Sequence, residues 1–211
     1  MTNFIPIFPL SLVVYPGESL HLHIFEPRYI QLIEYCLEQK KPFGIPTVMN
    51  KAIADFGTLV EVTEISKRYP DGKMDIKTKG IQVFKILELI KNIPEKLYGG
   101  AIVLYTNNYS NGSAAMMKHI VAEARRLHQL LSVQKNFGKP DDALQSYDVA
   151  HHVGMSLEQE YQLLEYENEL HRQEFLKRHL QTMLPVVEEM ENLKTKIHLN
   201  GHFKNLEGFN L

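Results

Sequence analysis

A single cysteine, Cys36, stands in 211 residues, so no internal disulfide and no cysteine zinc cluster can form within one chain. No apolar run approaches the length of a membrane span. The start, Met1-Thr2-Asn3-Phe4, lacks a basic n-region followed by an apolar h-region, which leaves no secretory signal visible. Together these absences point to a cytoplasmic protein with no membrane partner. A long basic run is also missing and the formal net charge is −2. Nonspecific nucleic-acid binders need clustered Lys and Arg against phosphates, so the balance argues against that class. No G-x-x-x-x-G-K-[ST] loop is present to cradle a nucleotide, and no G-x-S-x-G elbow presents a serine for attack. What remains is an ordinary globular composition, 44% hydrophobic and 23% charged, on a chain long enough to bury a sizeable core.

The first forty residues carry a clear pattern. Phe4 to Phe8 alternate around Pro6, which suits an edge strand or a strand end. Leu12-Val13-Val14 and Leu20 to Ile24 are predicted strands on either side of Tyr15-Pro16-Gly17, where proline followed by glycine makes a tight turn. Pro27 then suits the first turn of a helix. Tyr29, Leu32, Ile33, Cys36 and Leu37 form its apolar face, which makes Cys36 a small buried hydrophobe rather than a nucleophile. Lys40-Lys41-Pro42 stops the helix. Further strands are expected at Phe43–Met49, Phe56–Ile65, Met74–Thr78, Ile81–Leu89 and Ala101–Tyr105. Tyr69 to Lys73 reads as a hairpin turn, and Gly80 marks a bulge or bend. Short strands with one helix suggest a small twisted barrel or a two-sheet sandwich.

At Thr106 to Ser113 the composition turns small and polar, and the apolar period changes from two to 3.6. Met117, Ile120, Val121, Ala124, Leu127, His128 and Leu131 share one helical face, ended by Asn136 to Pro140. A short helix is expected around Asp148 to Val153, stopped by Gly154. Ser156 and Gln159 fit a capping box. A further helix runs from about Glu169 to Leu184 with Leu176, Leu180 and Met183 inward. Val187, Met190 and Ile197 continue nearly the same face past Pro185, which either starts a new helix or kinks a long one. The expected division is a β-barrel domain over 1–108, a helical domain over 109–200 and a flexible tail over 201–211.

The stretch FPLSLVVYPGESLHLHIFEPRY, residues 8–29, closely resembles the opening of the N-terminal domain of Lon proteases. Phe43-Gly44, Phe56-Gly57-Thr58, Asp71-Gly72-Lys73 and Lys79-Gly80 follow in that family's order. The run SYDVAHHVGMSLEQEYQLLEYENELHRQEFLKRHL is similar to the helical region after it. The resemblance covers nearly the whole chain. It implies an α+β fold: a PUA-like twisted pseudo-β-barrel with one helix, then an all-α domain. It further implies a stand-alone Lon N-domain protein that binds polypeptide without ATPase or protease domains, and so is not an enzyme.

Several residues were candidates for chemistry. His21 and His23 lie two apart on one side of a predicted strand and suit two metal ligands, but no third ligand of matching spacing appears. His151 and His152 are adjacent on a helix, one expected packed and the other wet. His171 and His179 are two turns apart, too far to chelate. Glu26 and Arg28 are either a binding pair at the barrel mouth or, as favoured, a dipole-complementing carboxylate and its ion-pairing neighbour. Glu158, Glu160, Glu165, Glu167 and Glu169 read as a solvated acidic face. No catalytic, cofactor-binding or metal residue is therefore assigned. The expected partner is polypeptide: an unfolded segment, a degron or a partner protein. The alternative is an RNA-binding module, whose basic face would be Lys67, Arg68, Lys73, Lys77 and Lys79, diluted by Glu64, Asp71 and Asp75.

Overall fold

The computed structural model describes residues 2–206, with side chains as far as Ile197. It divides into two compact units, one of Met1–Asn111 with Met155–Glu169, the other of Gly112–Gly154 with Leu170–Leu211.

The first unit is an antiparallel sheet wrapped around one helix. Its strands are β1 (Thr2–Pro6), β2 (Ser19–Ile24), β3 (Phe43–Met49), β4 (Ala52–Arg68), β5 (Met74–Ile90) and β6 (Gly100–Tyr105). They run in the order β1-β6-β5-β4-β3, with β2 against the first part of β5. The two ends of that order meet: Ile7 and Leu10, just after β1, bridge in parallel to Gly44 and Thr47 of β3. The amide N–H of Phe8 donates to the Gly44 carbonyl at 2.8 Å, and that of Val48 to Leu10 at 2.8 Å. These bridges join the two ends of the sheet.

Helix α1 (Pro27–Gln39) begins with proline in its first turn and ends on Lys40 in the left-handed conformation. It buries Tyr29, Leu32, Ile33 and Cys36, as its period predicts, against Ile24, Phe43, Val60, Met74 and Ile76. A second core of Ile5, Ile7, Leu59, Phe84, Ala101 and Val103 fills the other end of the sheet. Gly72, at φ +86°, sits in the β4–β5 turn, closed by Gly72 N–H to the Tyr69 carbonyl at 3.0 Å. Gly80 lies at a register shift between β4 and β5. A Cβ there would stand 2.2 Å from the Tyr15 carbonyl oxygen, so only glycine lets the Tyr15–Glu18 turn dock on β5.

Two expectations need correction here. Leu12–Val14 is not a strand: Val13, Val14 and Tyr15 are buried, but side chains take the place of a ladder. The Thr58 hydroxyl donates to the Val14 carbonyl, and the Tyr15 N–H donates to Glu18 Oε2 at 2.8 Å. Helix α4 (Leu157–Glu165) does carry the predicted capping box between Ser156 and Gln159. It nevertheless belongs with the strands rather than with the helical unit that was expected to span 109–200. Tyr161 Oη accepts from the Phe56 N–H at 2.9 Å, Tyr15 Oη donates to the Glu160 carbonyl at 3.0 Å, and Tyr109 brackets Glu167 and Glu169 by backbone bonds.

The second unit holds α2 (Ala114–Leu130), a short 3-10 turn (Asp141–Ala143), α3 (Ser146–Ala150) and α5 (Glu169–Leu206), whose first residue falls in the other unit. Ser113 caps α2, accepting from the Met116 N–H at 3.3 Å. The predicted face of α2 is buried except Leu131, which lies past the helix end and is exposed. Ring nitrogens of His128 and His179 donate to the carbonyls of His152 (2.6 Å) and Val153 (2.9 Å), which lie in the turn that follows α3. α5 continues through Pro185 as one helix. Leu176, Leu180, Leu184 and Val187 are buried, whereas Met190 and Ile197 are exposed, against expectation. No described side chain of α5 beyond Val187 is buried. The helix reaches Leu206, so of the tail expected from 201 only 207–211 is left, outside the described residues.

Candidate functional site

One concave surface of the first unit is lined mainly by apolar groups. It is a cavity of about 240 Å³ formed where β1 ends, α1 begins, β5 ends and β6 begins. Ile7 and Pro9, Ile53, and Leu89 and Ile90 supply aliphatic walls; Tyr29 and Tyr98 supply phenol rings. Arg28 and Lys91 also line it, and no carboxylate does among the described residues. Leu97 completes it and is 64% exposed.

Each wall has a local cause. The Gln31 side chain, on the surface of α1, accepts from the Leu97 N–H at 2.7 Å and donates to the Glu95 carbonyl at 3.3 Å. That amide pins the loop after β5 so that Leu97 projects at the rim instead of folding inward. The Gly99 carbonyl accepts from the Ile7 N–H at 3.1 Å, tying β1 to the loop end. Tyr29 is fixed by stacking on Phe8, ring centroids 3.9 Å apart. Arg28 is held on its neighbour's ring, 4.5 Å from the Tyr29 centroid, while its Nε and Nη2 both donate to Glu26 Oε2 at 3.0 and 2.7 Å. Burial pushes the Tyr29 and Tyr98 phenols up, Tyr98 to about 12. Both rings are therefore neutral amphipathic walls at physiological pH. The arrangement can shed water from an apolar side chain and meet a neighbouring negative charge; it presents no acid–base pair for chemistry.

The family model of the ATP-dependent protease La (LON) substrate-binding domain matches residues 5–182. The chain belongs to that family. Among solved structures, it is similar to the Lon N-terminal domain protein from Xanthomonas campestris, at 20% identity and a TM-score of 0.61. That match covers 83% of this chain and 98% of the other. The N-terminal domain of the Mycobacterium avium complex Lon protease is 13% identical with a TM-score of 0.63, over 86% of this chain and all of that one. At such identities the likeness is one of fold. The mixed α/β architecture, antiparallel sheet first and helices after, is the Lon N-domain architecture.

Against this family background the residues singled out from sequence fall into place. Arg28 does line the pocket, and Glu26 acts as its ion-pair partner; Glu26 occupies the cap position of α1 without a side-chain cap bond. His23 Nδ1 donates to Asp75 Oδ1 at 2.6 Å, and no group of three His, Cys, Asp or Glu able to hold a metal occurs among the described residues. His151 is exposed and His152 half-buried, its ring 5.5 Å from that of Phe137. His171 is exposed and His179 buried. The acidic face holds for Glu158, Glu165 and Glu167, but Glu169 is buried at the start of α5, its N–H bonded to Tyr109. Partial desolvation of its otherwise exposed side chain, with Asp55 nearby, raises the Glu165 carboxyl. The basic hairpin is answered by acids: Lys77 pairs with Glu64 at 2.7 Å, Lys73 with Asp71 at 2.7 Å and Arg68 with Glu34 at 3.6 Å. Lys67 lies over the Tyr69 ring. Sequence reasoning missed Ile53, Leu89, Leu97 and Gln31. The available signal was Leu97 itself, an apolar residue inside the turn-forming run Pro94-Glu95-Lys96-Leu97.

Proposed function

We propose that the first unit is a non-catalytic polypeptide-binding module of PUA-like pseudo-barrel type, taking apolar side chains of unfolded or extended chains into the pocket between Tyr29, Leu89 and Leu97. The observation that carries this reading is Leu97, held outward by Gln31 at the rim of an aliphatic cavity. Membership of a substrate-binding family supports it. Burying one Leu- or Phe-sized side chain contributes roughly 1.5–3 kcal/mol. A single contact is therefore weak, and the module selects chains that expose several apolar groups, as unfolded proteins do. Arg28 and Lys91 favour segments with an acidic residue beside the apolar one. Such binding suits a cytoplasmic adaptor that hands damaged or unstable proteins to proteolysis or quality control.

The test is fluorescence anisotropy with a labelled unfolded polypeptide, reduced and carboxymethylated α-lactalbumin, set beside the same label on its native form and on an RNA homopolymer. Saturable binding of the unfolded form that weakens on Leu97→Asp is the expected result. Equal binding of wild type and variant would remove the pocket from the account. Binding of the RNA alone would overturn the polypeptide reading.

A further inference from the structure

Beyond Pro185 the described exposed apolar residues of α5 are not scattered. Val186, Met190, Leu193 and Ile197 are 52, 53, 51 and 70% exposed and recur at intervals of four, three and four, which keeps them on one stripe of a helix. An amphipathic helix ordinarily turns such a stripe onto a core. Here the buried stripe of the unit, Leu176, Leu180, Leu184 and Val187, is a separate set, and it ends where the second stripe begins.

Two features of the second stripe select its occupant. The interval pattern reads the same from either end. A second copy laid antiparallel therefore sets Val186 on Ile197 and Met190 on Leu193, apolar on apolar throughout. A twofold interface needs this kind of self-complementary patch. The flanking charges are also segregated along the helix: Glu188, Glu189 and Glu191 come first, Lys194 and Lys196 after. Antiparallel alignment brings the acidic half of each copy beside the basic half of the other, and parallel alignment sets acid against acid. Glu189 and Lys196 share one heptad position beside the stripe, so in the antiparallel arrangement they face each other twice across the twofold axis. Lys194 is within 2.5 Å of Glu191 on its own helix, a surface pair that can also reach across.

We propose that this chain forms an antiparallel homodimer through the Val186–Ile197 stripe of α5. The dimer carries two copies of the first unit, and so two pockets. The dimer itself does not depend on what the pockets bind.

Sedimentation velocity of the 211-residue chain over a concentration series tests the proposal. The expected result is a monomer–dimer equilibrium. Leu193→Asp leaves helical circular dichroism unchanged, because Leu193 is exposed in the single chain, and abolishes the dimer. Lys194→Glu with Lys196→Glu weakens self-association by at least about tenfold through like-charge contact, as does Glu189→Lys with Glu191→Lys. Mixing those two variants restores a dimer. Orientation is read by oxidation: Glu189→Cys mixed with Lys196→Cys gives the crosslinked dimer. A monomer at every concentration, a dimer indifferent to Leu193→Asp, or efficient crosslinking of Glu189→Cys to itself each overturns the proposal.

Discussion

The β4–β5 hairpin and the pocket beside α1 are two exposed surfaces of the same unit, each carrying tyrosines and basic side chains. They differ in what those groups meet. At the hairpin, Lys73, Lys77 and Arg68 have carboxylate partners, and the Asp75 carboxylate accepts from both His23 and Tyr69. Three of the five basic residues of that face thus meet a carboxylate within the chain. At the pocket, Arg28 has Glu26, but the aliphatic walls of Ile53, Leu89 and Leu97 are left facing water around a cavity. A surface whose interactions are internally met has little to gain from a partner; one with unmet apolar area has much. The basic residues that first suggest a nucleic-acid face are thus on the self-satisfied surface, and the binding capacity lies elsewhere.

Both surfaces hang on β4, so the largest expected effect is the one that removes them together. A Cβ on Gly57 would stand 2.5 Å from the Ile45 carbonyl oxygen and the Pro46 Cα, and 2.8 Å from the Phe84 ring. The first two obstacles are backbone of the paired strand β3 and cannot swing aside. Gly57→Val should cost more than about 3 kcal/mol, at or beyond the upper end of overpacking penalties. The melting temperature should then fall by more than about 6 °C. An unchanged melting curve would mean that β3 and β4 are not this close. Cys36 reports the same collapse: its thiol is buried and pushed up to about 12, so it should resist thiol reagents in wild type and react in the variant.

The next substitution separates the two surfaces. Leu97→Asp changes an exposed rim residue and should leave stability within about 0.5 kcal/mol of wild type. It should weaken binding of the unfolded-polypeptide probe roughly tenfold or more, the equivalent of losing one apolar burial. Lys77→Gln is the counterpart at the hairpin. It breaks an exposed pair, which contributes little to stability. Probe binding should not change. A Lys77→Gln effect on binding as large as that of Leu97→Asp would erase the distinction drawn between the surfaces.

How much of this was legible beforehand depends on range. Local chemistry could be read directly: Pro27 at the first turn of α1, the Ser156–Gln159 capping box, the Tyr69–Lys73 turn and the buried face of α2 are all interactions within a few residues. Leu12–Val14 misled because burial and β-branching looked like a strand, while the Val14 carbonyl accepts from the Thr58 hydroxyl rather than from a ladder N–H. α4 misled because helical period says nothing about which unit a helix joins; that is decided by Tyr15, Phe56 and Tyr109, far away in the chain. The pocket was hidden for the same reason. Ile53, Leu89 and Leu97 converge only through the β4–β5–β6 registers and through Gln31, none of which leaves a short-range pattern. In α5 the period of Met190 and Ile197 was visible, yet period alone does not distinguish a face turned to its own core from one turned outward.

The smallest effect concerns the self-satisfied surface and is read through pH. His23 Nδ1 and Tyr69 Oη donate to the two oxygens of Asp75 at 2.6 and 2.9 Å, and these bonds hold its carboxyl below the usual carboxylate range. Because the folded value is lowered, the contribution to stability is present in full above the unfolded value of about 4 and is lost as pH falls through the folded one. Asp75→Asn removes that titration while keeping the shape. The difference in urea midpoint between wild type and Asp75→Asn should therefore shrink as the pH falls below about pH 4. The site is exposed, so the difference will be small and reduced by salt. Its pH profile, rather than its size, is the diagnostic. A difference that stays constant down to pH 3 would mean the two donors do not hold the carboxylate in solution, and that the hairpin is less closed on itself than the comparison with the pocket requires.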